Sequence, residues 1–299
     1  MKKMKTMEHL IIWIMAVRPK TLPVSMASVV MAGAMALGMK CFSWLPWLLC
    51  LIFAVLAQIT SNLINDCADF KRGDDGEGRV GPKRVIAERV LSYEAVRKAA
   101  VFFAAAASVV GLSLVYWGGW RIVPIGLLIA AAAYCYSAGP FPLSRHALGD
   151  IAVVIFYGII PVVMTCIILG MNFSWHLFWA GFSMGIVVNQ LLIINNYRDL
   201  EDDAAHGKIT TATLFGRDVL RLVYIVAPFV AVYLGSYFLS GISNPLTWNS
   251  LGLAFVIYSY VISRKMRRMQ GSELNKLILP SALEPVFFAL MTLAAVMWH

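Results

Sequence analysis

Nine apolar runs divide the chain, at roughly 22–39, 43–65, 92–116, 122–138, 147–170, 175–197, 219–240, 246–263 and 279–298. Most approach the ~20 residues that an α-helix needs to cross the hydrocarbon of a bilayer. No single aqueous core could hide that much apolar surface. Of the residues, 60% are hydrophobic and 14% charged, against about 25% charged in a soluble domain. The expected fold is therefore all-α: a polytopic membrane bundle of about nine helices forming one domain over 1–299. The 122–138 run is the short one.

The charges test this layout. With nine spans and a cytoplasmic N-terminus, all but Lys40 and Arg121 of the 25 Lys and Arg fall on the cytoplasmic side. Positive-inside bias predicts that asymmetry, and a wrong helix count would scramble it. Trp44, Trp47, Trp117, Trp120, Trp175, Trp179, Trp248 and Trp298 fall at the opposite interface, where an aromatic belt is expected. The basic stretch from Met1 to Lys5 precedes an apolar run broken by Arg18-Pro19-Lys20. It reads as a retained interfacial lead-in, since no small-residue cleavage site follows. The net charge of +9 fits this topology and contact with anionic lipid, so the partner is membrane lipid, with no nucleic acid.

The cysteines (Cys41, Cys50, Cys67, Cys135, Cys166) are scattered without a metal-ligand spacing, and no HExxH-type histidine pair exists. They read as small hydrophobes.

The carboxylates are concentrated. Most lie in 66–88 and in 199–203 with Asp218. The first cluster, Asn62 to Asp75, sits where the second span leaves the membrane. Asn62, Asp66 and Asp69 are spaced i, i+4, i+7 and share one helical face. Gly73 then permits a turn that brings Asp75 back toward that face. The second cluster, Asn195 to Asp203, sits where the sixth span leaves. Asn195, Asp199 and Asp202 or Asp203 again share a face. Asn65 to Asp69 and Asn195 to Asp199 repeat the same Asn-x3-Asp spacing. Both end an even-numbered span, so both finish at one face. This suggests pseudo-repeat halves of roughly 20–140 and 147–299, with two acidic helix ends facing one cavity.

Carboxylates near the hydrocarbon boundary are costly and usually functional. Clustered oxygen donors without His or Cys suit Mg²⁺, which takes one or two carboxylates plus substrate phosphates. Two such clusters flanking a diphosphate can clamp its metal ions and neutralise the leaving group. Lys83, Arg84, Arg145 and Lys208 are candidate contacts to phosphate oxygens. Tyr134, Tyr136 and Ser137 end the fourth span at the same face, where an aromatic ring can stabilise a cation or simply anchor the interface. A divalent-cation transporter is the alternative from another class. It predicts carboxylates at mid-membrane on broken helices, whereas these sit at helix exits.

These residues resemble the UbiA superfamily of intramembrane aromatic prenyltransferases, over nearly the whole chain. Within it the chain is most similar to the branch that prenylates 1,4-dihydroxy-2-naphthoate in menaquinone synthesis. Three segments carry that likeness: Arg18-Pro19-Lys20-Thr21-Leu22-Pro23; Asn65-Asp66-x-x-Asp69 with Gly73-x-Asp75; and Asn195-Asn196-x-Arg198-Asp199-x-x-x-Asp203 with Gly207-Lys208. Two positions depart from it: Lys208-Ile209-Thr210 stands for the common Lys-Arg-Thr, and Asp150 stands where Glu is common.

The resemblance implies an electrophilic aromatic substitution in a bacterial inner membrane, with the site facing the cytoplasm. Diphosphate leaves a polyprenyl diphosphate, the aromatic acceptor's ring carbon attacks the allylic cation, and loss of CO2 gives demethylmenaquinone. It implies Mg²⁺ as cofactor, held by Asp66, Asp69, Asp75, Asp199 and Asp203. Asn62, Asn65, Lys83, Arg84, Tyr136, Arg145, Asn195, Arg198 and Lys208 are implied in substrate binding or catalysis. Sibling acceptors are hydroxybenzoate, homogentisate and haem; the Gly73-x-Asp75 ending argues against the first.

Overall fold

The computed structural model describes residues 11–73, 80–81 and 84–299. The expected lead-in over Met1 to Lys5, and the candidate ligands Asp75 and Lys83, lie outside them. A short helical stretch over 11–17 leads in. Nine principal helices follow among the described residues: α1 (Leu22–Gly38), α2 (Trp44–Arg72), α3 (Tyr93–Ser113), α4 (Ile122–Cys135), α5 (Gly149–Ile168), α6 (Trp175–Arg198), α7 (Thr211–Phe238), α8 (Pro245–Arg268) and α9 (Ile278–Met297). With their short flanking pieces, eight are long and apolar enough to cross a bilayer. The exception is α4, whose 14 residues span about 21 Å of a hydrocarbon layer of about 30 Å.

Local chemistry sets the helix starts. Ser92 accepts from the Ala95 amide to open α3, and Ser174 from Leu177 to open α6. Thr210 and Thr213 form a reciprocal capping box at the head of α7. Asn244 accepts two amides ahead of Pro245 on α8. Each cap satisfies amides that the helix itself leaves unpaired.

Helix α6 is the most enclosed span, α1 the next, and α3 the least. One hydrophobic core joins α1, α5, α6, α7, α8 and α9 through Met31, Met35, Met184, Val187, Trp248, Phe255 and Phe288. The outward faces of α3 and α4 carry exposed Val101, Phe102, Val109, Leu127 and Leu128. That suits contact with lipid.

Helix α5 contains a π-helical stretch, Val154–Ile159, and packs on α6 through glycines. A Cβ on Gly158 would lie 2.3 Å from the Gly185 Cα, and one on Gly181 would lie 2.6 Å from the Ile159 Cα. The close approach requires the bare backbone.

Helix α2 runs past the apolar stretch to Arg72, as the helical face shared by Asn62, Asp66 and Asp69 requires. Two features depart from the sequence reading. Helix α7 begins at Thr211, with a break at Gly216 (φ 76°) before the apolar run. Trp248 is not in an interfacial belt: it is 1% exposed and donates to the Val232 carbonyl. It fills the space over Gly235, where a Cβ would fall 1.8 Å from its ring. Trp44, Trp120, Trp175 and Trp298, by contrast, are exposed.

Candidate active site

The first acidic motif occupies the last turns of α2, so the i, i+4, i+7 spacing becomes a real face. Gly73 closes the helix in the left-handed region at φ 77°, where a glycine pays no steric penalty. Asp66 is 2% exposed and accepts from both Arg18 and Arg84. Asp69 accepts from Arg72 at 2.7 Å and from Arg84 at 3.0 Å. Arg84 also reaches the Asn65 side-chain oxygen at 3.3 Å, so one planar guanidinium spans three motif residues. A buried carboxylate is tolerable only with such partners. Asn62 donates to the Val17 carbonyl (3.0 Å) and Thr21 Oγ1 (3.2 Å), and accepts from Gln58 (3.0 Å). The motif is thereby fastened to the chain entering α1. Arg18 itself has φ 56°, a conformation uncommon outside glycine.

The second motif straddles the end of α6 and the short helix Leu200–Ala205. Arg198 is buried and holds Asp199 through two bonds of 2.6 Å. Its remaining nitrogen donates to Asn275 at 2.8 Å. Asp203 pairs with Lys208 at 2.9 Å, a contact made possible by the left-handed turn at Gly207 (φ 62°). Burial raises the Asp203 carboxyl above the ordinary carboxylate range despite the lowering by Lys208. Its second oxygen, Oδ2, is buried with no hydrogen-bond partner among the described residues. Exposed Glu201 is held below its usual range by Arg217, which also covers the Tyr197 ring. Arg145 donates to the His206 carbonyl at 2.8 Å. Main-chain bonds of Ile209 to Arg145 and Ala147 then tie the α4–α5 connection to the segment after the motif.

Both motifs open on one cavity of about 570 Å³. Its polar end presents Asn62 and Asn65 from α2, Asn195 from α6, and Tyr136 from the end of α4. The four candidate carboxylates do not line it: Asp66 and Asp69 follow Asn65 at the end of α2, Asp199 lies one turn after Asn195, and Asp203 lies in the short helix beyond. Deeper in, Gln58, Ser61 and Tyr157 give way to apolar side chains of α2, α3, α4 and α5, such as Phe53, Ala107, Leu112, Ile129 and Met164. The structure thus gathers Asn62, Asn65, Asn195 and Tyr136 on the cavity wall; Asp66, Asp69 and Arg84 form one cluster at the first motif, while Arg198 with Asp199 and Asp203 with Lys208 form pairs at the second. Tyr134 is exposed, whereas Ser137 is buried with its carbonyl taken by Arg72 at 2.5 Å.

Sequence reasoning passed over several residues here. Arg18 was visible only as part of an N-terminal signature, although it reaches Asp66. Tyr157 lay inside an apolar run with no polar neighbour to mark it. Asp150 proves to be a strut: it accepts from Asn189 of α6 (2.9 Å) and Thr211 of α7 (2.9 Å), fixing where α5 starts.

The donor set fits a hard divalent ion. All four carboxylates and three asparagines offer oxygen, and Asp203 Oδ2 is an unpaired buried acceptor. No nest of three or more acidic, His or Cys side chains occurs among the described residues. Mg²⁺ ordinarily takes one or two carboxylates and completes its shell with water and phosphate oxygens.

Residues 26–295 match the UbiA prenyltransferase family, and the chain belongs to it. It is a multi-pass, all-α membrane prenyltransferase of that superfamily. Among relatives, its most consistent likeness across species is to 1,4-dihydroxy-2-naphthoate octaprenyltransferases. That of Haemophilus influenzae is 29% identical over 81% of each chain. That of Mycobacterium tuberculosis is 31% identical over 71% of this chain and 72% of its own. The fold is shared with solved proteins. A UbiA homolog from Archaeoglobus fulgidus bound to DMAPP and Mg²⁺ superposes with a TM-score of 0.61 at 18% identity, covering 93% of this chain and 98% of its own. The apo UbiA homolog from Aeropyrum pernix gives 0.68 at 15%, covering 89% and 96%.

Proposed function

We propose that the protein transfers a polyprenyl group from its diphosphate to 1,4-dihydroxy-2-naphthoate, releasing diphosphate and CO2 and forming demethylmenaquinone. One observation carries this reading: a single cavity whose polar end joins asparagines of both acidic motifs and whose far end is an apolar passage between α2, α3, α4 and α5. A diphosphate with a long hydrocarbon tail is a ligand with that division of chemistry. The relatives named above supply the acceptor.

In this reading Asp66, Asp69, Asp199 and Asp203 hold Mg²⁺, with Asp75 added from outside the described residues and Asn62, Asn65 and Asn195 in support. Bound Mg²⁺ supplies charge neutralisation of the departing diphosphate. The chain's own residues do the rest. Arg84, Arg145 and Lys208, with Lys83 beside Arg84, offer cationic donors to the diphosphate oxygens as the C–O bond breaks and the electron pair leaves with oxygen. Tyr136, at the polar end of the cavity, is placed to face the allylic carbon as positive charge develops. The apolar wall excludes water, which would otherwise capture the cation. The ring carbon bearing the carboxylate attacks, and loss of CO2 restores aromaticity. In this reading the site opens toward the cytoplasm, and the positive-inside asymmetry of the Lys and Arg residues supports that orientation.

Purified protein in nanodiscs, given 1,4-dihydroxy-2-naphthoate, a polyprenyl diphosphate and Mg²⁺, is expected to form prenylated naphthoquinol and to stop on chelation. No product with dihydroxynaphthoate, alongside product with hydroxybenzoate or homogentisate, would replace the acceptor. No product with any of them would end the prenyl-transfer reading.

A further inference from the structure

A side chain outside both acidic motifs ties the second one to the stretch of chain that precedes Arg84. Asn275 lies between α8 and α9, in the segment Gly271–Leu277. Its side-chain oxygen accepts from Arg198 at 2.8 Å, and its side-chain nitrogen donates to the Val80 carbonyl at 3.0 Å. Arg198 is the residue that holds Asp199 by two bonds. Val80 lies four residues before Arg84, which reaches Asn65, Asp66 and Asp69. Asn275 therefore links Arg198 of the second motif to Val80, which precedes in the chain the arginine that engages the first motif.

We propose that Asn275 is a positioning residue that sets the separation of the two acidic motifs, and so the grip on a ligand bridging them. The proposal rests on the metal–diphosphate reading of that site. The chemistry is specific to an amide. Arg198 needs an acceptor and the Val80 carbonyl needs a donor, and Asn supplies one of each from a planar group. Both bonds are made by a half-buried side chain, where such links are shielded from competing water. The segment on which Asn275 stands is anchored by Leu274 and Leu277, both buried in the core between α6, α7 and α8. The link thus rests on a fixed point.

Asn275→Asp and Asn275→Ala separate positioning from mere packing. Asp keeps an acceptor for Arg198 but has no donor for Val80; Ala removes both links. Two readouts are taken on the full-length protein in nanodiscs: Mn²⁺ affinity by electron paramagnetic resonance, and steady-state kinetics with varied polyprenyl diphosphate. Both variants are expected to weaken Mn²⁺ binding and raise the KM for the diphosphate by about 10-fold, the low end of what residues behind metal ligands contribute. The kcat is expected to stay within about twofold and the thermal midpoint near that of the parent. Parent-like affinity and KM in Asn275→Asp would overturn the proposal, because the tie to Val80 would then contribute nothing. Losses that merely track a lowered thermal midpoint would overturn it too. The parent protein separates the two ideas: if it forms no prenylated product, the functional reading fails, while the Mn²⁺ comparison still decides the role of Asn275.

Discussion

Arg198 grips the carboxylate of its own neighbour in sequence, Asp199, through two hydrogen bonds of 2.6 Å, with the guanidinium almost wholly buried. Adjacent residues on a helix point in different directions. The contact forms because α6 ends at Arg198 and Asp199 is already turning into the next short helix. The arginine therefore orients a candidate ligand, rather than standing open to a phosphate.

Arg198→Lys tests this. An ammonium cannot make the planar, two-pronged contact, so Asp199 keeps a charge partner but loses its fixed orientation. The expected result is a 10- to 100-fold lower kcat/KM, roughly the effect of removing a residue behind a metal ligand, recovered in part by raised Mg²⁺. A kcat/KM equal to the parent's at limiting Mg²⁺ would show that orientation of Asp199 is unimportant.

Asp66→Asn and Asp66→Ala are expected to abolish turnover, but to differ in stability. Asp66 neutralises Arg18 and Arg84 at the bundle end. Removing one partner of a buried pair costs about 3–5 kcal/mol, and Arg18 is a quarter exposed, so the lower end applies. Asn retains an oxygen for one guanidinium and should unfold later than Ala in a thermal scan. An active Asp66→Asn enzyme would refute a metal-holding role for that carboxylate.

Much of this was legible in the sequence, for a physical reason. Hydropathy reports the bilayer directly, so nine helices emerged, with the short one read at 122–138 and ending in the structure at Cys135. The Asn-x3-Asp repeats marked the ends of α2 and α6 because carboxylates are rare beside hydrocarbon. What stayed hidden was pairing. Nothing in the local sequence shows that Arg18 and Arg84 meet on Asp66, or that Asn275 reaches Val80 across the fold. Those contacts arise from packing between distant helices. Nor could periodicity distinguish Trp248, packed over Gly235, from the exposed Trp175, since both open helices at one end of the bundle.

Gly158→Ala should destabilise the protein without touching any candidate ligand. Its new methyl would meet the Gly185 backbone of α6 at 2.3 Å, and backbone cannot rotate away. Overpacking of this kind costs about 1–3 kcal/mol. The thermal midpoint in detergent should fall, whereas Gly126→Ala, whose Cβ meets open space, should hold or raise it by removing a helix glycine. Equal midpoints for the two would contradict the close α5–α6 approach.

Glu284 gives a prediction about the bundle interior. It is fully buried in α9 and accepts from the Tyr224 hydroxyl of α7 at 3.0 Å, while that hydroxyl also meets Ser281 at 2.8 Å. Glu284→Gln keeps an oxygen acceptor of the same shape and should lie within about 1 kcal/mol of the parent. Glu284→Lys places a positive charge in the buried interior among α7, α8 and α9 and should cost more than about 3 kcal/mol. Full stability of the lysine variant would mean that water reaches this site.

The apolar end of the cavity offers the sharpest test of what it holds. Gly126 of α4 lies on its wall, next to Ile125 and Ile129, and a side chain there has room. Gly126→Phe should leave the fold intact and narrow the passage some way from the polar mouth. If a polyprenyl tail occupies it, the KM for long polyprenyl diphosphates should rise by about 10-fold or more, because displacing even two CH₂ groups from an apolar site costs about 1.6 kcal/mol. A short donor such as geranyl diphosphate, which leaves the far end empty, should keep its KM. The ratio of the two, measured on one preparation, cancels any loss of folded protein. Equal shifts for long and short donors would place the tail elsewhere.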